Sequence, residues 1–383
     1  MSAHIGLQAV FERFLPAYQR QHLLTPIQQK ACWHIEQCRT EALGGLQQRC
    51  GQCGFEQPQY HSCRDRHCPQ CQGQAQQAWC QQQLQAVLPV TYYHLVFTLP
   101  HTLNGWVELH PEVIYRCLFQ SAWETLDHFG QDPKRLHGTL GMTAVLHTWG
   151  QNLSRHVHLH CLVAGGALTQ AGDWHSSQSN YLFPVRALSR FFRGRMVSRL
   201  RHNAQCGELQ RITRPAEIDT RLNELMQTDW VVYTKAYLNR ADTVVQYLAR
   251  YSRKTALSNG RIQQIDEDQV HLRYKDYRDH DRNKVMVLDG EELIRRFLWH
   301  ILPAGFMRIR HYGFLANRCR RQKLAQIRQS LQAIAEQEIV GQAAINNQPI
   351  TVPVIEKPRS CPQCKTGRMI VVGEIAPKRI DYG

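Results

Sequence analysis

The sequence is short of acid. Its 383 residues carry 31 Asp and Glu against 46 Lys and Arg, a formal net charge of +15 at pH 7 with histidine neutral. That balance excludes an anionic protein surface and points to a polyanion as partner, most simply nucleic acid. Long apolar runs are also missing. Nothing approaches the roughly 20 residues of a membrane helix. The opening "MSAHIGLQAVFERFLPAYQRQHLL" is an amphipathic helical pattern and lacks a basic segment followed by an apolar signal core. The expectation is a cytoplasmic protein, associated with the nucleoid when bound to DNA, that makes no membrane contact. No internal repeat is visible. A hydrophobic fraction of 43% over this length suits a globular chain with more than one domain.

The positive charge is concentrated. Arg186, Arg190, Arg193, Arg195, Arg199 and Arg201 fall within sixteen residues, and a second cluster holds Arg308, Arg310, His311, Arg318, Arg320, Arg321 and Lys323. Arginine offers a planar fork that matches phosphate oxygens. The 14 cysteines are grouped at short spacings, which in a reducing compartment reads as metal ligation. Cys50-x2-Cys53 and Cys68-x2-Cys71 stand fourteen residues apart, so four thiolates from two short turns are expected to close a tetrahedron around structural Zn²⁺. Cys63 and His67, in "SCRDRHCPQC", are further potential ligands, able to replace a cysteine or to form a second, partial site. Arg64 and Arg66 beside the metal would make a basic knob suited to DNA. Cys361-x2-Cys364 is half a site, to be completed by distant partners or by Cys63 and His67.

Five segments follow from the texture of the chain. Residues 1–46 read as a helical segment broken at Pro16 and at Thr25-Pro26. Residues 47–88 read as the zinc-binding module, loop-like to residue 71, with a Gln-rich connecting helix. Residues 89–300 read as a domain of mixed strands and helices that holds the candidate chemistry, 301–347 as a basic helical region suited to DNA, and 348–383 as a Pro-rich linker with a CxxC tail. "VTYYHLVFTLP" is a β-branched and aromatic run stopped by Pro100 and predicts a strand. A helical stretch follows. Then "LGMTAVLHTWG" and "HVHLHCLVAGG" predict two strands joined by a loop around residues 150–154. This order favours an antiparallel pair inside an α+β fold. "DWVVYTKAYL" predicts a strand, "ADTVVQYLARYSRKTAL" a helix, and "GRIQQIDEDQVHLRYKD" a hairpin turning at Asp266-Glu267-Asp268.

Side chains alternate across a strand, so His156, His158 and His160 share one face while Val157, Leu159 and Cys161 share the other. His147 ends the preceding strand and comes close to His158 and His160 if the two strands are antiparallel. Imidazoles with open coordination positions suit a catalytic cation, and the lack of nearby carboxylates excludes an acidic two-metal nuclease. Tyr247 and Tyr251 stand four apart, on one face of the predicted helix, with Arg250, Arg253 and Lys254 beside them. A tyrosine can form a covalent intermediate when a cation holds the scissile phosphate and lowers the cost of attack.

These residues resemble a known family. "HVHLHCLV" with a downstream "YLARY" resembles the HUH endonucleases with two catalytic tyrosines. With "CRDRHCPQCQ", "HLVFTLP", "LHTWGQNL", "YLARYSRKTALSNGRI" and "FLWHILPAGFMRIRHYGFLA", nearly the whole chain resembles the rolling-circle transposases of the insertion sequence 91 family. The resemblance implies a ferredoxin-like or RRM-like HUH core with an antiparallel sheet. It implies Mg²⁺ or Mn²⁺ at His158 and His160, Tyr247 and Tyr251 as nucleophiles, and single-stranded DNA and hairpin transposon ends as substrate. The family usually has His-Pro or Asn-Pro before its ligand pair. Here it is His156-Val157, which demotes His156. His147 is the choice for third ligand, with Gln151 and His156 behind it. Arg64, Arg66, Arg250, Arg253, Lys254, Arg308 and Arg310 are the expected DNA contacts. The alternatives are a plasmid replication initiator or relaxase of the same chemistry, and a non-catalytic zinc-ribbon DNA-binding protein.

Overall fold

Helix α1 (Leu7–Gln21) buries Leu7, Val10, Phe11, Phe14, Leu15 and Tyr18, the one-face spacing of an amphipathic helix. It runs through Pro16 instead of breaking there. Pro16 and Glu12 both lie on the exposed face, so the carbonyl that loses its partner is left to water. Helix α2 (Pro26–Glu36) starts at the Thr25-Pro26 pair, with Pro26 in its first turn and the Gln28 side chain accepting from the Thr25 N–H at 3.0 Å. Strands β1 (Gly45–Cys50) and β2 (Glu56–Tyr60) then form a hairpin where a loop was expected. Their sequences, "GLQQRC" and "EQPQY", carry too few apolar residues for the strand pattern to show. The computed structural model describes residues 6–71, 86–177, 182–212, 215–237, 255–277, 279–339 and 360–378. The Gln-rich stretch at 72–85 and the segment 238–254, with Tyr247, Tyr251, Arg250, Arg253 and Lys254, lie outside them.

The central layer begins with β3 (Tyr92–Thr98), α3 (Asn104–Leu109) and α4 (Pro111–Gly130). Next come β4 (Gly141–Trp149), β5 (Arg155–Ala164) and the small pair β6 (Gly166–Leu168) and β7 (Trp174–Ser176). They are followed by α5 (Val185–Gln205), α6 (Pro215–Gln227) and β8 (Val232–Tyr237). Beyond residue 254 lie β9 (Ile262–Ile265), β10 (Gln269–Asp276), β11 (Arg282–Asp289), α7 (Gly290–Leu298), β12 (Ile309–Gly313), α8 (Arg320–Ile339) and β13 (Met369–Ile375). Strands β12, β4, β5, β3 and β8 form one antiparallel sheet in that order, so the histidine-bearing β5 lies at its centre. β12 corrects the expectation of continuous helix after residue 301. Arg310 lays its guanidinium over the rings of Phe119 and Phe306, 4.4 and 5.0 Å away, so a charged residue can serve on the packed face of a strand.

Parity decides what each face of the sheet does. Leu95 and Phe97 of β3, Ala144 and Leu146 of β4, and Val157, Leu159, Cys161 and Val163 of β5 are buried in the main core, with Leu118, Phe119 and Ala122 of α4 and Phe192 and Met196 of α5. A second core joins α1 and α7, where Phe11 meets Phe297 edge-on at 5.5 Å, to Cys38, Cys68 and Cys71 and to Trp149 at the end of β4. The cysteine-rich region is thus packed against the end of the histidine-bearing hairpin. β13 from the tail pairs antiparallel with β1 and completes the sheet β13-β1-β2. This CxxC tail, read in sequence as trailing a linker, returns to the N-terminal hairpin. Among the described residues no helix is long and apolar enough to cross a membrane.

Candidate active site and metal centres

Antiparallel register puts His147 of β4 opposite His158 of β5, and Val145 opposite His160. Residues directly opposite share a face, so the three imidazoles converge on the side of the sheet away from the main core. Their donor nitrogens all lie within 4.8 Å of one another, with no carboxylate in the group. His158 Nε2 and His160 Nε2 are 3.1 Å apart. Two nitrogens bound to one ion at about 2.1 Å each stand about 3.0–3.4 Å apart, so this donor set fits a cation. The ring of His147 closes the group, its centroid 4.6 Å from that of His160 and 5.4 Å from that of His158. Trp149 stacks on the far side of His147 at 4.6 Å, and the Arg308 guanidinium lies over Trp149 at 5.7 Å.

Two hydrogen bonds set which nitrogen points inward. His158 Nδ1 lies 2.9 Å from the carbonyl oxygen of His156, so it carries the proton and donates, leaving Nε2 with its lone pair. His160 Nδ1 is 3.0 Å from Nε2 of His94, whose ring stacks on it. Burial holds His94 at about 4, well below an ordinary histidine, so it is neutral near pH 7 and able to accept. Sequence reasoning did not single out His94. The only signal was a lone histidine in "YYHLVFT", and it matters only because β3 pairs with β5 so that His94 falls opposite Leu162, diagonal to His160. His156 is not part of the donor group: its ring lies 4.8 Å from that of His158 and stacks on His101 at 5.3 Å. Gln151 donates to the Tyr277 hydroxyl at 3.2 Å.

Two family models match the chain, one described as "Putative transposase" over residues 141–323 and one as "Transposase zinc-binding domain" over residues 10–99. The "Putative transposase y4qJ" of Sinorhizobium fredii (strain NBRC 101917 / NGR234) is 40% identical over 375 residues, covering 95% of this chain and 94% of that protein. The chain belongs to the insertion sequence 91 family of transposases. The transposase is also 29% identical over 317 residues to the "Transposase for insertion sequence element IS801" of Pseudomonas savastanoi pv. phaseolicola, covering 77% of this chain and 72% of that protein. No solved structure gives a significant match. DNA is therefore the transposase's partner, and it is a DNA-processing enzyme.

The cysteines of the transposase divide differently from the spacing-based expectation. The knuckles Cys50/Cys53 and Cys68/Cys71 do not share one site. Cys68 and Cys71 group with Cys63 and with Cys38, just beyond α2, and Cys71 Sγ stands 3.5 Å from both Cys38 Sγ and Cys63 Sγ. Cys50 and Cys53 group instead with Cys361 and Cys364 of the tail. Cys38 was missed because it belongs to no CxxC pair. The first cluster lies wholly within the segment matched by the zinc-binding domain model, and a thiolate set of this kind holds structural zinc.

Arg66, Asp65 and His67, between the knuckles, make contacts within the fold. Arg66 corrects the picture of a basic knob. Its guanidinium donates to the carbonyls of Phe306, Leu302 and Pro303 at 2.5, 3.3 and 2.8 Å, which ties the cysteine loop to the segment leading into β12. His67 is not in the thiolate group. It bonds Asp65 through Nδ1 at 3.0 Å and accepts the Leu302 N–H at Nε2 at 3.2 Å. Burial pushes the Asp65 carboxyl up, but hydrogen bonds from His67 and His34 prevail and hold it at about 2, so it is ionised. Arg64, with a φ of 57°, remains exposed beside the cluster. Arg310 faces the aromatic side chains behind the sheet, away from the histidines, whereas Arg308 lies over Trp149, the ring stacked on His147.

Proposed function

We propose that the transposase nicks and joins single-stranded transposon-end DNA, hairpin ends included, through a 5′-phosphotyrosine intermediate in rolling-circle transposition. The observation that carries the reading is the convergence of His147, His158 and His160 at the centre of the sheet, with two ring nitrogens 3.1 Å apart. The order β4-β5-β3-β8 around a strand–helix–strand–strand–helix–strand path supports an HUH core of the ferredoxin-like kind. Mg²⁺ or Mn²⁺ held by the three histidines would supply Lewis-acid polarisation of a phosphate oxygen; the all-imidazole set also accepts Zn²⁺.

The chain's own groups do the rest. His156 and His94 hold the ligand rings so that Nε2 of His158 and of His160 face one point. Arg308, above Trp149, is placed to meet phosphate next to the histidines. The nucleophiles are Tyr247 and Tyr251, with Arg250, Arg253 and Lys254 as neighbouring phosphate contacts. The phenol oxygen forms the new P–O bond as the bond to the 3′ oxygen breaks, and the phenol proton ends on the released 3′-hydroxyl. One phosphoester replaces another, so no ATP is consumed. The second tyrosine serves the next cleavage or the target strand.

The test is a denaturing gel. Labelled single-stranded end DNA incubated with the transposase and Mg²⁺ or Mn²⁺ is expected to give an SDS-stable adduct. The adduct should vanish with a chelator, in His158→Ala/His160→Ala and in Tyr247→Phe/Tyr251→Phe. Absence of the adduct with every divalent ion, or its survival in the tyrosine double variant, overturns the reading.

A further inference from the structure

Cys361 and Cys364 lie outside the matched zinc-binding segment, yet their thiols come to the same point as those of the β1–β2 turn. Cys50 Sγ is 3.7 Å from Cys364 Sγ and Cys53 Sγ is 3.6 Å from Cys361 Sγ, with all four within 4.8 Å. All four are free cysteines. We infer that Cys50, Cys53, Cys361 and Cys364 hold a zinc ion of their own, separate from that of Cys38, Cys63, Cys68 and Cys71, and that this ion clasps the C-terminal tail onto the N-terminal hairpin.

The surroundings are built for thiolates. The backbone N–H groups of Gln52 and Cys53 point at Cys50 Sγ at 3.4 and 3.5 Å, and that of Gly367 at Cys364 Sγ at 3.3 Å. Such donors stabilise sulfur that has lost its proton. Gly367 is required by space: a Cβ there would sit 2.3 Å from Cys50 Sγ and 3.2 Å from Cys364 Sγ. Only a residue without a side chain lets the second knuckle approach the first. The turns are held by more than sulfur. Gly51 N–H donates to the Arg368 carbonyl at 3.1 Å, the Thr366 hydroxyl donates to Gln52 Oε1 at 2.9 Å, and Cys50 stands in register with Met369. Two CxxC turns on neighbouring strands give a closed, four-thiolate site with no position left for water, the composition of a structural zinc.

Its consequence is a division of labour. The cluster at Cys38, Cys63, Cys68 and Cys71 is packed into the second core, with Cys68 fully buried. The tail cluster has Cys53 exposed and a small apolar shell of Met369 and Phe55. The tail ion is therefore the one a chelator reaches first, and losing it frees β13 from β1 without disturbing the histidine-bearing sheet.

The test uses the full-length chain produced with Co²⁺ in place of Zn²⁺ and reads the sulfur-to-cobalt charge-transfer absorbance, to which histidines do not contribute. The wild type is expected to show twice the intensity of Cys361→Ser/Cys364→Ser, and the control Cys206→Ser is expected to match the wild type. Equal intensity in the wild type and the double variant overturns the proposal. Should the double variant lose all charge transfer through misfolding, Cys364→His decides. Retained cobalt with the absorbance reduced by a single thiolate's share supports the clasp, and an unchanged spectrum refutes it.

Discussion

His94→Ala removes a side chain that touches no substrate on the proposed pathway, and its predicted effect falls on the metal. In the proposed site His160 binds through Nε2 and must keep its proton on Nδ1, where His94 Nε2 accepts it at 3.0 Å. Without that acceptor the Nδ1–H is left in a largely buried environment, His94 itself being only 6% exposed, and the ring is free to rotate. Loss of an outer partner of this kind costs about 10–100-fold in metal affinity, or roughly 1.4–2.7 kcal/mol. A glutamine at 94 has the remedy, because its Oε1 is as many bonds from Cβ as histidine Nε2. Mn²⁺ binding followed by electron paramagnetic resonance is expected to weaken in His94→Ala and to recover most of the way in His94→Gln, the fold staying intact by circular dichroism. Wild-type Mn²⁺ affinity in His94→Ala would refute the argument that the His94–His160 contact orients the ligand.

Other outcomes follow from the same geometry. His300 is fully enclosed, with Nδ1 3.1 Å from the Thr148 hydroxyl and Nε2 3.1 Å from the Leu153 carbonyl, and burial holds it at about 4; burial, with Arg320 nearby, does the same to His311. Unfolded, both would titrate near 6.5, so the unfolded chain takes up protons that the fold refuses. Stability is full above about pH 6.5 and falls as the pH drops toward 4, by about 2 kcal/mol per histidine at pH 5. A urea midpoint that does not move between pH 7.5 and pH 5 would contradict this. Arg66→Ala strips three carbonyls of their donor and should cost about 3 kcal/mol in urea while leaving the salt dependence of DNA binding unchanged. The reverse pattern, intact stability with a salt slope smaller by about one, would make Arg66 a phosphate contact. Leu159→Ala, at a fully buried site on the core face of β5, should cost about 2–5 kcal/mol by thermal melting; a loss below 1 kcal/mol would mean that the sheet packs differently.

Short-range pattern carried much of the fold. Alternation in "HVHLHCLV" separates histidine face from core face, and the short loop before it brings His147 opposite His158. The β9–β10 hairpin around Asp266-Glu267-Asp268 follows its turn chemistry. What stayed hidden was set by partners far apart in the chain. The Cys50/Cys53 knuckle is completed not by its neighbour fifteen residues on but by cysteines more than 300 residues away. Spacing cannot say which two CxxC turns meet when three are present. Cys38 and His94 each stand alone in sequence, and only helix packing and strand register show what they touch. β12 was masked by charge, since alternation is hard to see when arginine stems take the apolar positions. Arg66 reads as a DNA contact from its charge, and the sequence could not show the three backbone carbonyls that its guanidinium bonds.

The most direct measurement of the central claim is to map the covalent bond. The adduct of the transposase with single-stranded end DNA, formed in Mn²⁺ and digested with nuclease and protease, goes to tandem mass spectrometry. A nucleotide remnant joined through a 5′-phosphate to Tyr247 or Tyr251, and absent from His158→Ala/His160→Ala, is the predicted result. A remnant on any other side chain, or one formed equally without the two histidines, would contradict the account.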